Sequence, residues 1–441
     1  MFYIVEEETK LDHLTNLAKQ SAFVEVITTN SQMHSSFTDV VAVYIRPKVG
    51  SCGYIIPVDH DEGINVAKDR IYTLLNSVTT LYTLDKKSLL YHFNIQGAID
   101  VSLLYSMTKY ERLEVSSDNP TLNWYNNKYK DFKDVNKLVP ISKIYENSEK
   151  IYKSVEKHLG IDIPEGFEFY NTTATNVFFL LEHPGLGIHY QPFVDTFTPK
   201  SPRNSIKDGV TYTSYNLYNS TSRPTNAFNS VNYAAIPKSE EHRKCFHPQN
   251  DVFVEFDFDG YHLRLLCEQI GYPLTDESAH KQLAKHYFGT EDISEEQYLE
   301  AKQINFQAIY GKIPEEHSDL KIFKEIQNYI DSMWSLFKEN GVVFNPISGK
   351  PFTSNLKEMH PAKLMNYMMQ SLETARNILI LKDILRYLKD KRTKAVLYTY
   401  DAILFDFDKE EGREVLEGIK NILEQDGKYP VKFKYSKDLV L

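Results

Sequence analysis

Cysteine is scarce and no apolar run is of membrane length. The three cysteines, Cys52, Cys245 and Cys267, lie far apart and form no C-x-x-C pair. That excludes a disulfide scaffold and a thiolate zinc site, and fits a reducing compartment. No stretch approaches the roughly 18 uninterrupted apolar residues of a membrane span. The opening MFYIVEEETKLDHL turns acidic without the cationic and apolar regions of a secretory signal. A cytoplasmic protein is expected. General positive charge is also lacking, since 50 Lys and Arg against 60 Asp and Glu leave a formal charge of −10. A uniformly basic nucleic-acid coat is thereby excluded, and a polyanion must bind a local basic surface. Residues 300–400 carry such a mild excess, with 15 Lys and Arg against 11 Asp and Glu.

The chain is 441 residues long, enough for two or three domains, and is rich in Tyr (30) and Phe (25) with only 2 Trp. Residues 1–115 alternate strand-like runs (AFVEVITT, DVVAVYIRP, GYIIPV) with helical spacing at 63–78 and in AIDVSLLYSMTKY, which predicts an α/β sheet. Residues 116–140 are polar and aromatic. ISKIYENSEKIYKSVEKHLG then predicts an amphipathic helix ending at Gly160, and a domain boundary there. VFFLLEHPGLGIHYQPFVDTF reads as strand or loop, and 195–235 as loop. Beyond lie a strand, VFVEFDF, several long helices, the strand pair AVLYTY–DAILFDF, a helix and a last strand, VKFKY. The C-terminal two-thirds is therefore expected to be α+β.

Three features could carry chemistry. Asp257 ends a strand and Asp401 sits between two short apolar runs. Each alone is an ordinary turn former; brought together, two strand-end carboxylates would hold hard divalent cations by oxygen. Lys302, Phe306 and Tyr310 recur at i, i+4 and i+8, one face of a helix, which suits a core stripe or a phosphate-and-base contact. Asn366 and Gln370 project from one side of a Met- and Leu-rich helix.

In order, YNLYNSTSRPTNAFNSVNYAAIP, HRKCFHP, VEFDFDGYHLRLL, EAKQINFQAIYG, NYMMQSLETA and YTYDAILFDF resemble the family A (DNA polymerase I-like) DNA polymerases, most of all the divergent bacteriophage type. The resemblance spans roughly residues 178–441. It implies a right-hand fold: an RNase H-like exonuclease-type domain at 1–160, a palm at 161–272 and 357–441, and helical fingers at 273–356. It implies template-directed extension of a primer 3′-hydroxyl with dNTPs, using two Mg²⁺ ions (or Mn²⁺). Asp257 and Asp401 would be catalytic and, with the Phe258 carbonyl, would hold the metals. Lys302, Phe306, Tyr310 and His262 would meet the incoming nucleotide. Arg223, Asn366 and Gln370 would contact minor-groove acceptors of the primer–template, which all base pairs share.

Departures from the family pattern are specific. His262 replaces a glutamate that polices the sugar, Tyr298 replaces an arginine, and Ala402 replaces a second carboxylate after Asp401. In the exonuclease-like region, Glu25-Val26-Ile27 stands where D-x-E is expected, Ser88 where an Asp is expected, and Asp100 only echoes a neighbouring position. That domain is expected to be inactive, without proofreading. Residues 161–212 leave little room for a two-helix thumb, so the thumb is expected to be absent or vestigial, with a processivity or replisome protein replacing it. Two rivals follow from the same departures: a catalytically inactive scaffold that binds primer–template, and a nucleotidyltransferase that accepts ribonucleotides.

Overall fold

The computed structural model describes residues 3–31, 33–115, 125, 127–129, 132–197, 205–226, 231–310 and 313–441. Parts of the polar 116–140 segment and of the 195–235 loop lie outside the described residues.

The N-terminal third is built on strands β1 (Ser21–Thr28), β2 (Val40–Pro47), β3 (Tyr54–Pro57), β4 (Thr80–Thr83) and β5 (Ile99–Asp100), in the order β3-β2-β1-β4-β5. β1, β2 and β3 pair antiparallel, while β4 and β5 run parallel to β1. Its helices are α1 (Glu8–Ala18), α2 (Lys68–Ser77), α3 (Lys86–Phe93), α4 (Val101–Lys109) and α5 (Ile141–Val155). The strand period of two sorts the faces. Ala22 and Val24 pack with Leu11, Leu14, Ile71 and Leu74 of α1 and α2, whereas Phe23 and Ile27 pack beneath Ile144, Ile151 and Val155 of α5. A sheet covered on both sides explains why β2 is apolar almost throughout.

A π-helical turn, Phe169–Ala174, leads into α6 (Thr175–Leu181), and α7 (Tyr190–Phe197) follows. VFFLL and YQPFVDTF are thus helical, which corrects the strand-or-loop reading. Val177, Phe178 and Leu181 are buried at helical spacing, so packing overrides the strand preference of β-branched and aromatic residues. Short strands at Leu186–Ile188, Ile206–Lys207, Val210–Thr211 and Phe246–His247 form a small sheet beside them. Among the described residues of 161–212 there is no pair of long helices.

The C-terminal part centres on an antiparallel sheet of β6 (Val252–Phe258), β7 (Lys394–Thr399), β8 (Ala402–Phe407) and β9 (Val431–Ser436), ordered β7-β8-β6-β9. Helices α8 (Tyr261–Ile270), α9 (Ala279–Phe288), α10 (Glu295–Ile309) and α11 (Lys321–Asn340) separate β6 from the 27-residue α12 (Pro361–Tyr387); α13 (Gly412–Glu424) precedes β9. One apolar core joins this sheet, its helices and α4 of the N-terminal part, through Leu103, Leu104 and Met107. No helix among the described residues is long and apolar enough to cross a membrane.

Candidate active site

The two carboxylates meet at one end of the C-terminal sheet. Antiparallel register sets Asp257 opposite Ala402, the neighbour of Asp401, and the Phe258 N–H donates to the Asp401 carbonyl at 3.0 Å. β7 and β8 are joined by the two-residue turn Tyr400–Asp401, with Tyr400 at φ 61. A Tyr in that left-handed region is strained, and its ring stacks under Arg223, whose guanidinium carbon lies 3.7 Å from the ring centre. After Asp257 the chain turns through Gly260 at φ 61, where a Cβ would meet Ala279 Cβ at 3.2 Å. Glycine is required there to bring α8 back under the strand end.

Both Asp257 and Asp401 keep an exposed face on a cleft of about 260 Å³. Partial burial, then the charge of Asp401 and that of Glu255, pushes the Asp257 carboxyl up to about 6. Burial and the nearby Glu373 raise Asp401 as well. Asp259 behaves differently. Burial alone would raise it, but Lys432, the Ala279 N–H and Arg264 together hold it below its ordinary range. It fixes the α9 start and β9 rather than facing the cleft with a free charge.

The opposite wall comes from α10, begun by a capping box between Ser294 and Gln297. Lys302, Phe306 and the C-cap residue Tyr310 line the cleft, with Phe306 45% exposed. Phe306 lies against the His280 ring at 6.1 Å and 25°. His280 is buried, bonded to Asn305 Nδ2 at 3.0 Å, and burial pushes it down to about 4, so it is neutral at pH 7. Tyr298 occupies the wall one turn before Lys302.

Sequence reasoning missed Glu373. Only 1% exposed, it reaches from α12 between two cleft residues, with Oε2 2.9 Å from Arg223 Nη2 and Oε1 3.2 Å from His262 Nε2. His262 Nδ1 in turn lies 3.2 Å from the Tyr310 hydroxyl. A continuous polar chain therefore runs from Tyr400 and Arg223 through Glu373 and His262 to Tyr310. The available signal was a carboxylate in the apolar run SLETARNILI, three residues after Gln370.

Seven sequence-selected residues besides Phe258 line this cleft: Arg223, Asp257, His262, Lys302, Phe306, Tyr310 and Asp401. Asn366 and Gln370 do not. They stand half-buried on the same helix as Glu373, one to two turns earlier, and bond to each other, Gln370 Nε2 to Asn366 Oδ1, at 2.9 Å.

Among the described residues no group of three or more His, Cys, Asp and Glu could hold a metal. Of the four carboxylates that line the cleft, Asp259 and Glu373 are paired with Lys432 and Arg223, which leaves those of Asp257 and Asp401, with Phe258 between them in the lining. Hard oxygen donors raised first by burial and then by their mutual repulsion fit a divalent cation such as Mg²⁺, which would favour their ionised forms.

Glu25 and Asp100 of the N-terminal part serve the fold. Glu25 points under α5 beside Ser148, where burial raises it to about 7 and Oε2 has no hydrogen-bond partner. Asp100 caps α4 through the Leu103 N–H and also accepts from the Lys86 N–H and the Tyr218 hydroxyl. Ser88 lies within α3.

No protein-family model matches the chain, and no curated protein sequence matches it. Among solved structures, the fold is similar to the POL domain of Pol1 from M. smegmatis, determined in complex with DNA primer-template and dNTP. The TM-score is 0.68 over 99% of this chain and 99% of that one, at 12% sequence identity. The similarity is one of fold.

Proposed function

We propose that this chain is a template-directed DNA polymerase of family A type, divergent and bacteriophage-like, that extends a primer 3′-hydroxyl with dNTPs. The observation that carries the reading is the convergence on one cleft of Asp257, Asp401, Arg223, His262, Lys302, Phe306 and Tyr310, drawn from four separate stretches of sequence. The shared fold of a POL domain solved with primer-template and dNTP supports it.

Asp257, Asp401 and the Phe258 carbonyl would hold two Mg²⁺ ions (or Mn²⁺). Bound there, the metal would supply Lewis-acid activation of the primer hydroxyl and charge neutralisation on the leaving pyrophosphate. The chain's own groups do the rest. Lys302 presents its ammonium to the triphosphate. Phe306 offers an open ring face to the sugar and base, and Tyr310, held by His262, flanks the nascent pair. Arg223, fixed by Glu373 and Tyr400, is set for the minor-groove acceptors at the primer end. Asn366 and Gln370, beside the cleft on α12, would extend that contact along the duplex.

The N-terminal unit reads as an RNase H-like, exonuclease-type domain without a metal site, because Glu25 and Asp100 are committed to packing and capping; synthesis would proceed without proofreading. The short helices of 161–212 suit a vestigial thumb. The test is primer extension by purified protein with Mg²⁺ and either dNTPs or rNTPs. Elongation with dNTPs that stops in EDTA supports the reading. Primer–template binding without elongation would assign the scaffold reading instead, and equal use of rNTPs would change the substrate.

A further inference from the structure

Away from the carboxylate end of the C-terminal sheet lies a larger groove, about 960 Å³, between α6 and the second half of α12. The start of β7 and the end of β8 close it. Its walls include aliphatic Leu180, Leu385 and Leu388, and Leu180 is 50% exposed. Its cations include Lys382, Lys389 and Lys394, none of which is paired with a carboxylate among the described residues. The two arginines of the groove are already engaged: Arg386 with Asp383 at 2.8 Å, and Arg392 with Asp408 and Glu410 at 2.7 Å each. Asp406, the one carboxylate lining the groove among the described residues, is turned inward and accepts from the Gln249 and Asn250 N–H groups at 2.7 and 2.9 Å. The π-helical turn Phe169–Ala174 contributes Thr172 and Thr173, and such turns within helices concentrate at functional sites.

We propose that this groove docks a peptide segment of a partner protein that combines aliphatic and acidic side chains. Charge complementarity selects the acids: three uncompensated ammonium groups border one wall of an otherwise acidic chain. The leucines select the aliphatic component, because burying them against a phosphodiester backbone would gain nothing. Among the described residues the groove has no Phe, Tyr or Trp, so it lacks the stacking platform by which proteins hold single-stranded nucleic acid. Six residues of β7 and its turn separate Lys394 from Tyr400, about 20 Å at the strand rise. Along α12, Glu373 and Lys382 lie about 14 Å apart. An occupant therefore leaves the cleft open, and the site is independent of the chemistry performed there.

The probe is a short fluorescein-labelled peptide of alternating Leu and Glu, followed by anisotropy against the full chain. A Glu-only peptide of equal charge and an oligothymidylate serve as comparisons. The Leu–Glu peptide should bind more tightly than either. Lys382→Glu and Leu180→Asp should each weaken it by at least about tenfold, with circular dichroism and melting temperature unchanged; Lys389→Ala replaces either variant that fails to fold. Absence of binding to the wild-type chain would overturn the proposal, as would binding unaffected by the substitutions. Tighter binding of the oligothymidylate, sensitive to Lys382→Glu but not to Leu180→Asp, would make the groove a polyanion site and equally overturn it.

Discussion

Glu373 is the residue on which the geometry of the cleft turns, since it touches both Arg223 and His262. Removing one member of a buried ion pair leaves its partners uncompensated, so Glu373→Ala should lower stability by about 2–3 kcal/mol, measured by urea unfolding. Glu373→Gln keeps the shape and one acceptor. It should unfold nearly as the wild type, yet lose about 10–100-fold in kcat/KM for single-nucleotide incorporation, because Arg223 and Tyr310 are no longer held in register. Unchanged kinetics in a folded Glu373→Gln would show that the polar chain is structural only. The placement of Asp257 and Asp401 beside apolar strand runs was legible in the sequence, although turn formation alone would account for either one. Glu373 was not, because a glutamate in a helix looks like a solvent-facing residue until tertiary packing buries it.

At the scale of elements, α5 lies over Glu25 of β1 and sets a pH dependence. Burial pushes the Glu25 carboxyl up to about 7 in the folded chain, against about 4.3 for an ordinary glutamate. Between these values the folded chain keeps a proton that the unfolded chain has lost. Stability therefore falls as pH rises from about 4 to about 7 and stays reduced above. Glu25→Gln removes that penalty: it should be more stable than the wild type by about 1–3 kcal/mol at pH 8 and nearly equal at pH 4. Equal unfolding midpoints at both pH values would contradict the burial argument. Long helices such as α11 and α12, and the β7–β8 hairpin, were legible from periodicity and turn residues. α6 was not, since Val177, Phe178 and Leu181 follow helical spacing over too short a run to outweigh their strand preference. The groove beside it was invisible for a related reason: its cations come from α12, the turn after it and β7, its apolar wall partly from α6, and only the fold brings them together.

For the whole molecule, a formal charge of −10 would limit how a primer–template is gripped under the proposed function. A modest set of about four phosphate contacts should lose about 10²-fold in primer–template affinity between about 50 and about 200 mM salt, as a fluorescence titration would show. With no pair of long helices among the described residues of 161–212 to enclose the duplex, extension in the presence of trap DNA should stop after a few nucleotides. Long products under those conditions would contradict a vestigial thumb. The most direct measurement is single-turnover incorporation of one dNTP with Mg²⁺ by the wild type, Asp257→Ala, Asp401→Ala and the double variant. If the two carboxylates act as one unit, each single substitution abolishes at least about 10³-fold of the rate and the double is no worse than either. A single variant that keeps wild-type incorporation would contradict the account.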